Sequence, residues 1–325
     1  MALYFLNLKS FGRSNGGSAV SAAAYRAGER IRDERSGRTY DHSARRDIMH
    51  KEILLPAQFA EAPMDWARDR ASLWNSAERA ESRKNARVAR EFLVVLPVEL
   101  TARQRLGLAR EFSQELSDRY RFAVDLAIHA PRDFPGSDPR NFHAHLLATT
   151  REVGAEGLGA KTALELADYK REELGLGQGI NELMWARERW ATVTNAAFKE
   201  ANIEARVDHR TLEAQGIDRE PLLHIPRIPY ELERRGYRSF VAERVRAEHQ
   251  ARVQSRLERS AVQEAAKQGT ADQAAEQTSK AVSKFQSLDE IRREAREAWL
   301  QIRQRRAGTT ASEEKGLNPD DDLAR

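Results

Sequence analysis

The 325-residue chain suits one or two domains, and 32% charged residues with a mean hydropathy of −0.71 predict a soluble protein. No apolar run approaches the roughly 18 residues of a membrane span, which excludes membrane insertion, and the absence of cysteine excludes disulfides and fits a cytoplasmic setting. A formal charge of +4 and a pI of about 9.3 are mild, so a nucleic-acid face has to come from local arginine clusters rather than from net charge.

In chain order, the start MALYFLNLKS lacks the basic region of a signal peptide, and residues 3–8 read as a short buried strand. Turn chemistry at 14–17 leads to Ser18, placed to N-cap an alanine-rich helix over 19–31. Tyr25 lies in that helix, with Arg26 and Arg30 within about a turn. A phenol has a reference pKa of about 10 and needs cationic neighbours or a metal-polarised target to act as a nucleophile; otherwise this tyrosine is an amphipathic helix–sheet contact. Residues 32–48 are charged and turn-rich. A strand over 49–55, a helix over 64–83 with Trp66, Leu73, Trp74 and Ala77 as its apolar stripe, and a strand over 88–96 follow. Glu91, near the start of the last, is either a solvated strand end or an inward carboxylate. Thr101 is placed to cap an amphipathic helix over 101–120.

Two apolar runs, 122–130 and 142–150, flank a connection rich in Pro, Gly, Asp and Asn. In an extended strand His143 and His145 point to one face, and Phe142, Ala144, Leu146 and Ala148 to the other, core-facing side. If the runs pair as antiparallel neighbours, His129 comes up beside that pair. Three neutral imidazoles on one face make a metal site with open coordination positions, suited to Mn, Zn, Ni or Co. A bare His-x-His is weak evidence; three of eight histidines in one strand–loop–strand unit is stronger. The last two strands are joined without a helix, so the order of elements predicts an α+β two-layer sandwich with a mainly antiparallel five-stranded sheet flanked by helices. Lys161 follows a glycine-rich stretch that lacks the spacing of a nucleotide-binding P-loop. A long helix over 179–202 and a compact segment to 226 close this first domain, 1–226.

From 227 the composition becomes charged and poor in large apolar residues. Helices are predicted over 237–268 and 287–306, separated by a soft break at GTADQAAEQTS, the second opened by a Ser287…Glu290 capping box. Residues 227–306 read as a charged helical extension and 307–325 as a disordered tail.

Residues 1–226 resemble the MobA/MobL family of plasmid mobilisation relaxases, of the HUH endonuclease superfamily. The resemblance rests on five blocks in family order: SAAAYRAG, RTYDHSARRDIMHKEILLP, LWNSAERAESRKNARVAREFLVVLP, NFHAHLLATTR and the VDHRTLEAQGIDREP segment. It implies an HUH-type sheet and an enzyme that nicks one strand at a transfer origin through a 5′-phosphotyrosyl intermediate. Tyr25 then matches the nucleophile, His129, His143 and His145 the ligands of a divalent metal (Mg or Mn), and Glu91 a carboxylate near the active site. Arg26, Arg30, Arg83, Lys84, Arg87 and Lys161 become candidates for contacts to the DNA backbone. The implied partners are single-stranded origin DNA, accessory proteins of the transfer complex and a type IV coupling protein. The alternatives are a rolling-circle replication initiator, which shares metal and tyrosine but orders its motifs differently, a water-using metal hydrolase, and a non-catalytic DNA-binding scaffold.

Overall fold

The computed structural model describes residues 2–131, 138–221, 223, 225–284, 290, 293–294 and 296–301. The central part of the histidine-strand connection, Ser287 of the expected capping box and the 307–325 tail lie outside the described residues. The chain divides into two compact units, Met1–Ile217 and Asp218–Arg325.

The first unit opens with β1 (Leu6–Gly12), later than the strand expected over 3–8. Helix α1 (Ala19–Ala27) follows, its Ser18 hydroxyl accepting from the Ser21 N–H at 3.2 Å. It stops four residues short of the expected 31 because Gly28 adopts φ +60° and its N–H closes on the Ala24 carbonyl. The next residues turn back as a hairpin of β2 (Arg30–Arg32) and β3 (Thr39–Asp41), so Arg30 lies on a strand. After β4 (Ile48–Leu54), the helix expected over 64–83 is two, α2 (Asp65–Arg68) and α3 (Arg70–Arg79). Asp69, in extended conformation, separates them and caps α3 through the Ser72 N–H. Then come β5 (Arg87–Val95) and α4 (Ala102–Tyr120), the latter opened by a complete Thr101/Gln104 capping box. The histidine strands are β6 (Val124–His129) and β7 (His143–Ala148). A second hairpin, β8 (Arg151–Gly154) with β9 (Gly157–Lys161), precedes α5 (Asp168–Glu173) and α6 (Gly179–Glu200).

Five strands form one open sheet in the order β1-β5-β7-β6-β4, with every neighbouring pair antiparallel. The α+β class with its five-stranded antiparallel sheet is as expected. Helices cover both faces, so the sheet is the middle of three layers rather than one of the two expected, because both faces of its strands carry buried apolar residues. Phe92, Val94, Leu126, Ile128, Ala144 and Leu146 meet α4 and α6. Ala89 and Leu147 meet α1 and α3 on the other side, joined there by Val88, the extra residue at the register shift between β1 and β5. Strand alternation forces this split, and it sends His129, His143, His145 and Glu91 towards α1. Asp125, on that same face of β6, is 3% exposed and accepts from Arg70 at 2.8 and 2.9 Å and from Trp74 Nε1 at 2.9 Å, tying α3 to the sheet.

On the far face Arg171 is fully buried, and its Nη2 donates to Glu182 Oε1 at 2.6 Å. Glu182 Oε2 also accepts from Arg119 and from Tyr120 Oη, at 2.8 and 2.7 Å. Burial pushes the Tyr120 phenol up, and the neighbouring Glu182 carboxylate adds to it. Removing one partner of such a pair strands the other charge. Glu182→Ala is therefore expected to cost about 3–5 kcal/mol of unfolding free energy in urea denaturation. A loss below about 1 kcal/mol, the scale of an exposed pair, would contradict this account.

The second unit holds α7 (Arg227–Arg234) and α8 (Phe240–Lys284). The expected break at GTADQAAEQTS does not occur, and α8 runs through it for 45 residues. That stretch is mostly Ala, Gln and Glu, whose helix propensity outweighs one glycine. Glu233 joins the two helices through Arg246 at 2.8 Å.

Candidate active site and metal centre

The site is assembled where β6 and β7 run side by side. His129 and His143 are direct cross-strand partners, and His145 faces Ala127. The three imidazole centroids lie 5.2, 4.6 and 5.1 Å apart. One nitrogen from each falls within 4.8 Å of the other two, a group that could hold one metal ion.

Each ring is oriented from behind. His145 Nδ1 donates to Glu91 Oε1 at 2.6 Å, and His143 Nδ1 to the Asn141 carbonyl at 2.9 Å, which places both lone pairs on Nε2. His129 Nε2 donates to the Arg26 carbonyl at 2.8 Å, placing its lone pair on Nδ1. Arg45 Nη2 donates to that Nδ1 at 3.3 Å, so a cation and this guanidinium compete for it. Burial, reinforced by the surrounding imidazoles and Arg45, pushes His129 down to about 3. Burial also pushes His145 down to about 4, with Arg26 adding to it and Glu91 opposing. Both rings are thus neutral at pH 7, the form that binds metal. A neutral three-imidazole set with oriented rings fits a divalent ion.

These shifts carry a pH dependence. An unfolded histidine takes up its proton near 6.5, whereas folded His129 and His145 resist until about 3 and about 4. Below 6.5 the unfolded chain therefore binds more protons, and stability falls as pH falls. With a chelator present, the unfolding free energy from urea denaturation is expected to drop between pH 7 and pH 5 by about 2 kcal/mol per histidine, lowering the urea midpoint. Carboxylates titrate below this window. A midpoint that stays level across it would sink the assignment of two buried neutral imidazoles.

Glu91 is fully buried. Burial alone would raise its carboxyl, but the His145 N–H and the Arg26 guanidinium outweigh that and hold it well below the usual carboxylate range. Arg26 Nε approaches Oε1 at 2.5 Å, and Lys9, its cross-strand neighbour on β1, lies 3.6 Å from Oε2. Of the two readings open for Glu91, the structure has the inward one.

Tyr25 lies in the last turn of α1, half-buried. Its ring meets His42 edge-on at 5.2 Å, and Arg45 Cζ stands 4.1 Å over its face. Arg45 Nη1 also donates to the Tyr25 carbonyl at 2.6 Å, and Asp47 anchors the guanidinium at 2.9 Å. Arg45 thus touches both the tyrosine and His129, while the Arg26 carbonyl joins the next residue of α1 to the same histidine. Tyr25 and the triad are built into one cluster.

The basic residues expected to meet DNA are placed differently. Arg26 is 9% exposed and committed to Glu91. Arg30 is exposed and 3.8 Å from Asp41. Arg83 and Lys84 are exposed on the turn between α3 and β5. Arg87 pairs with Glu165 at 3.2 Å, and Lys161 with Glu81 at 2.6 Å. Sequence reasoning missed Arg45, His42 and Asp47. Their only signal was membership of the HSARRD run, where nothing in spacing distinguishes one arginine from the next.

The family model described as MobA/MobL family matches residues 17–235. The chain is 35% identical over 286 residues to "Mobilization protein MobL" of Acidithiobacillus ferridurans, covering 80% of this chain and 73% of that protein. It is 36% identical to "Mobilization protein A" of Escherichia coli and 31% identical to "Probable conjugal transfer protein TraA" of Sinorhizobium fredii, over 75% and 79% of this chain. It spans only 32% and 25% of the length of those two. Among solved structures, "Molecular Basis of Vancomycin Resistance Transfer in Staphylococcus aureus" aligns with 29% identity and a TM-score of 0.49, over 64% of this chain and 99% of that one. A metal-bound "conjugative relaxase TrwC in complex with oriT DNA" aligns with 11% identity and a TM-score of 0.42, over 77% of this chain and 98% of that one.

Proposed function

The chain belongs to the MobA/MobL family, and from that premise we propose that it is a DNA relaxase, nicking one strand of a plasmid at its transfer origin by tyrosine transesterification. The observation that carries this reading is the continuous cluster from Tyr25 through Arg26 and Arg45 to the triad of His129, His143 and His145.

In this mechanism the Tyr25 oxygen attacks the scissile phosphorus in line. A phosphorus–oxygen bond to tyrosine forms as the bond to the 3′ oxygen breaks. The products are a 5′-phosphotyrosyl strand and a free 3′-hydroxyl. One phosphodiester replaces another, so the 3′-hydroxyl can reverse the step without ATP. A divalent ion at the three histidines, Mg or Mn by the family resemblance, would supply Lewis-acid polarisation of the phosphate. Glu91 holds the tautomer and aim of His145, and Arg26 keeps Glu91 ionised beside it. Arg45 fixes the face of the tyrosine ring and places a permanent positive charge next to the attacking group. Arg30, Arg83, Lys84, Arg87 and Lys161 are assigned to the DNA backbone, with Arg26 reassigned to positioning Glu91. Accessory proteins of the transfer complex and a type IV coupling protein are the further partners this reading implies. Among the described residues no helix is long and apolar enough to cross a membrane.

The test is a denaturing gel of the protein incubated with Mn and labelled single-stranded DNA spanning the origin. A band shifted by the mass of the protein supports the reading. Cleavage without a shifted band would indicate water as the nucleophile. Tight binding of the correct origin without cleavage would indicate a scaffold.

A further inference from the structure

A cleft of about 670 Å³ opens beside the N-terminus of α1, between the β2–β3 hairpin and the turn from α3 to β5. We propose that this cleft is a single-stranded DNA subsite, in which Arg38 and Lys84 hold backbone phosphates and Tyr40 stacks on a base. The proposal rests on the relaxase reading and adds to it a place where the substrate strand is gripped away from the chemistry.

Three observations carry it. The first is charge. Arg38 comes from the hairpin wall and Lys84 from the opposite turn, both exposed. Among the described residues neither has a carboxylate within ion-pair distance. The acidic groups that do reach this region are outnumbered. The buried Glu78 carboxylate serves two guanidiniums, Arg13 at 2.8 Å and Arg35 at 3.1 Å, and also accepts from the Ala19 N–H at 2.7 Å. Glu81 likewise serves Arg151 at 2.7 Å and Lys161 at 2.6 Å. Asp33, whose carboxylate accepts from Ser18 Oγ and the backbone N–H groups of Arg35 and Ser36, adds one more negative charge, and Arg13, Arg35, Arg38 and Lys84 still leave the cleft positive.

The second is composition. Tyr40 on β3 supplies an aromatic side chain, and Ser36, Ser82 and the glycine pair 16–17 supply small polar walls. Tyr40 is half-buried, its ring packed in part against the core under α1, and cationic side chains lining the same cleft as an aromatic match how proteins hold a single strand, phosphates on charge and bases on rings. The third is position. Ser18 lines the cleft and caps α1, and Tyr25 lies seven residues further along the helix, roughly 10 Å by its rise. A strand seated at Tyr25 reaches the cleft within about three stacked nucleotides.

The experiment uses the full chain without metal, so that no cleavage occurs. Binding of a labelled oligodeoxythymidylate of about 20 nucleotides is followed by fluorescence anisotropy across a salt series. For the double variant Arg38→Ala/Lys84→Ala, the slope of log affinity against log salt should become shallower by about 1.4, two contacts at about 0.7 each. Tyr40→Leu should weaken binding about tenfold with the slope unchanged. Equal urea midpoints confirm that the variants are folded, and Arg38→Lys/Lys84→Arg should restore the wild-type slope. Wild-type binding with an unaltered slope in the double variant would overturn the cleft alone, leaving the adduct assay to judge the relaxase reading. Displacement of the strand by millimolar inorganic phosphate, to the level of the double variant, would reduce the cleft to a simple anion site and overturn the proposal. A wild-type chain that does not bind the oligothymidylate would overturn the cleft proposal, while the adduct assay on origin DNA still judges the relaxase reading.

Discussion

Tyr25→Phe is expected to abolish the covalent DNA adduct, lowering strand cleavage on the order of 10⁴-fold or more. The substitution removes only the hydroxyl. The edge contact with His42, the Arg45 guanidinium over the ring and the Arg45 bond to the Tyr25 carbonyl all involve atoms that phenylalanine keeps. Fold, metal binding and DNA affinity should therefore survive, and a loss confined to the gel shift would identify the attacking atom. Arg45→Ala makes the informative comparison. It keeps the hydroxyl but frees the ring and removes a charge beside it, so cleavage should slow without vanishing. Lysine at that position should not restore the rate, because it lacks the planar fork that reaches Asp47 and the carbonyl together. An adduct that persists in Tyr25→Phe would exclude this tyrosine.

The second large effect belongs to the triad. His143→Ala leaves two imidazoles, and titration calorimetry with Mn should show affinity reduced by more than ~100-fold, since groups behind a ligand already account for 10- to 100-fold. Cleavage should fall in parallel and return only partly at high metal concentration. Glu91→Gln should fall between wild type and His143→Ala, because it keeps a hydrogen-bond acceptor for His145 and loses the charge that Arg26 and Lys9 face. Unchanged Mn affinity in His143→Ala would remove the histidines from the metal account.

Much of this arrangement was legible because strands obey a period of two. The alternation around His143 and His145 gave a polar and an apolar face, and the helix-free connection required antiparallel pairing, which brings His129 opposite His143. What escaped has physical reasons. β2 and β3 have three residues each, too few for any periodicity to register. β9 is GLGAK, whose glycines argue against a strand until β8 pairs with it. The break at Asp69 looked like continuous helix because its stripe of Trp and Leu continues beyond it. Arg26, on α1, looked like a surface cation, since its partner Glu91 is 65 residues away on β5. Arg45 owes its place to tertiary contacts with α1 and β6, which no local pattern encodes.

The direct pairing of His129 with His143 also bears on how this chain can change over generations. A one-residue slip in a strand turns all of its side chains to the opposite face. An insertion or deletion inside β6 or β7 would therefore point histidines at the apolar layer under α4 and α6. The connection between Ala130 and Phe142 is bound by no such parity, because the sheet fixes where its two ends meet. Its length can therefore change without turning the three histidines off the face they share.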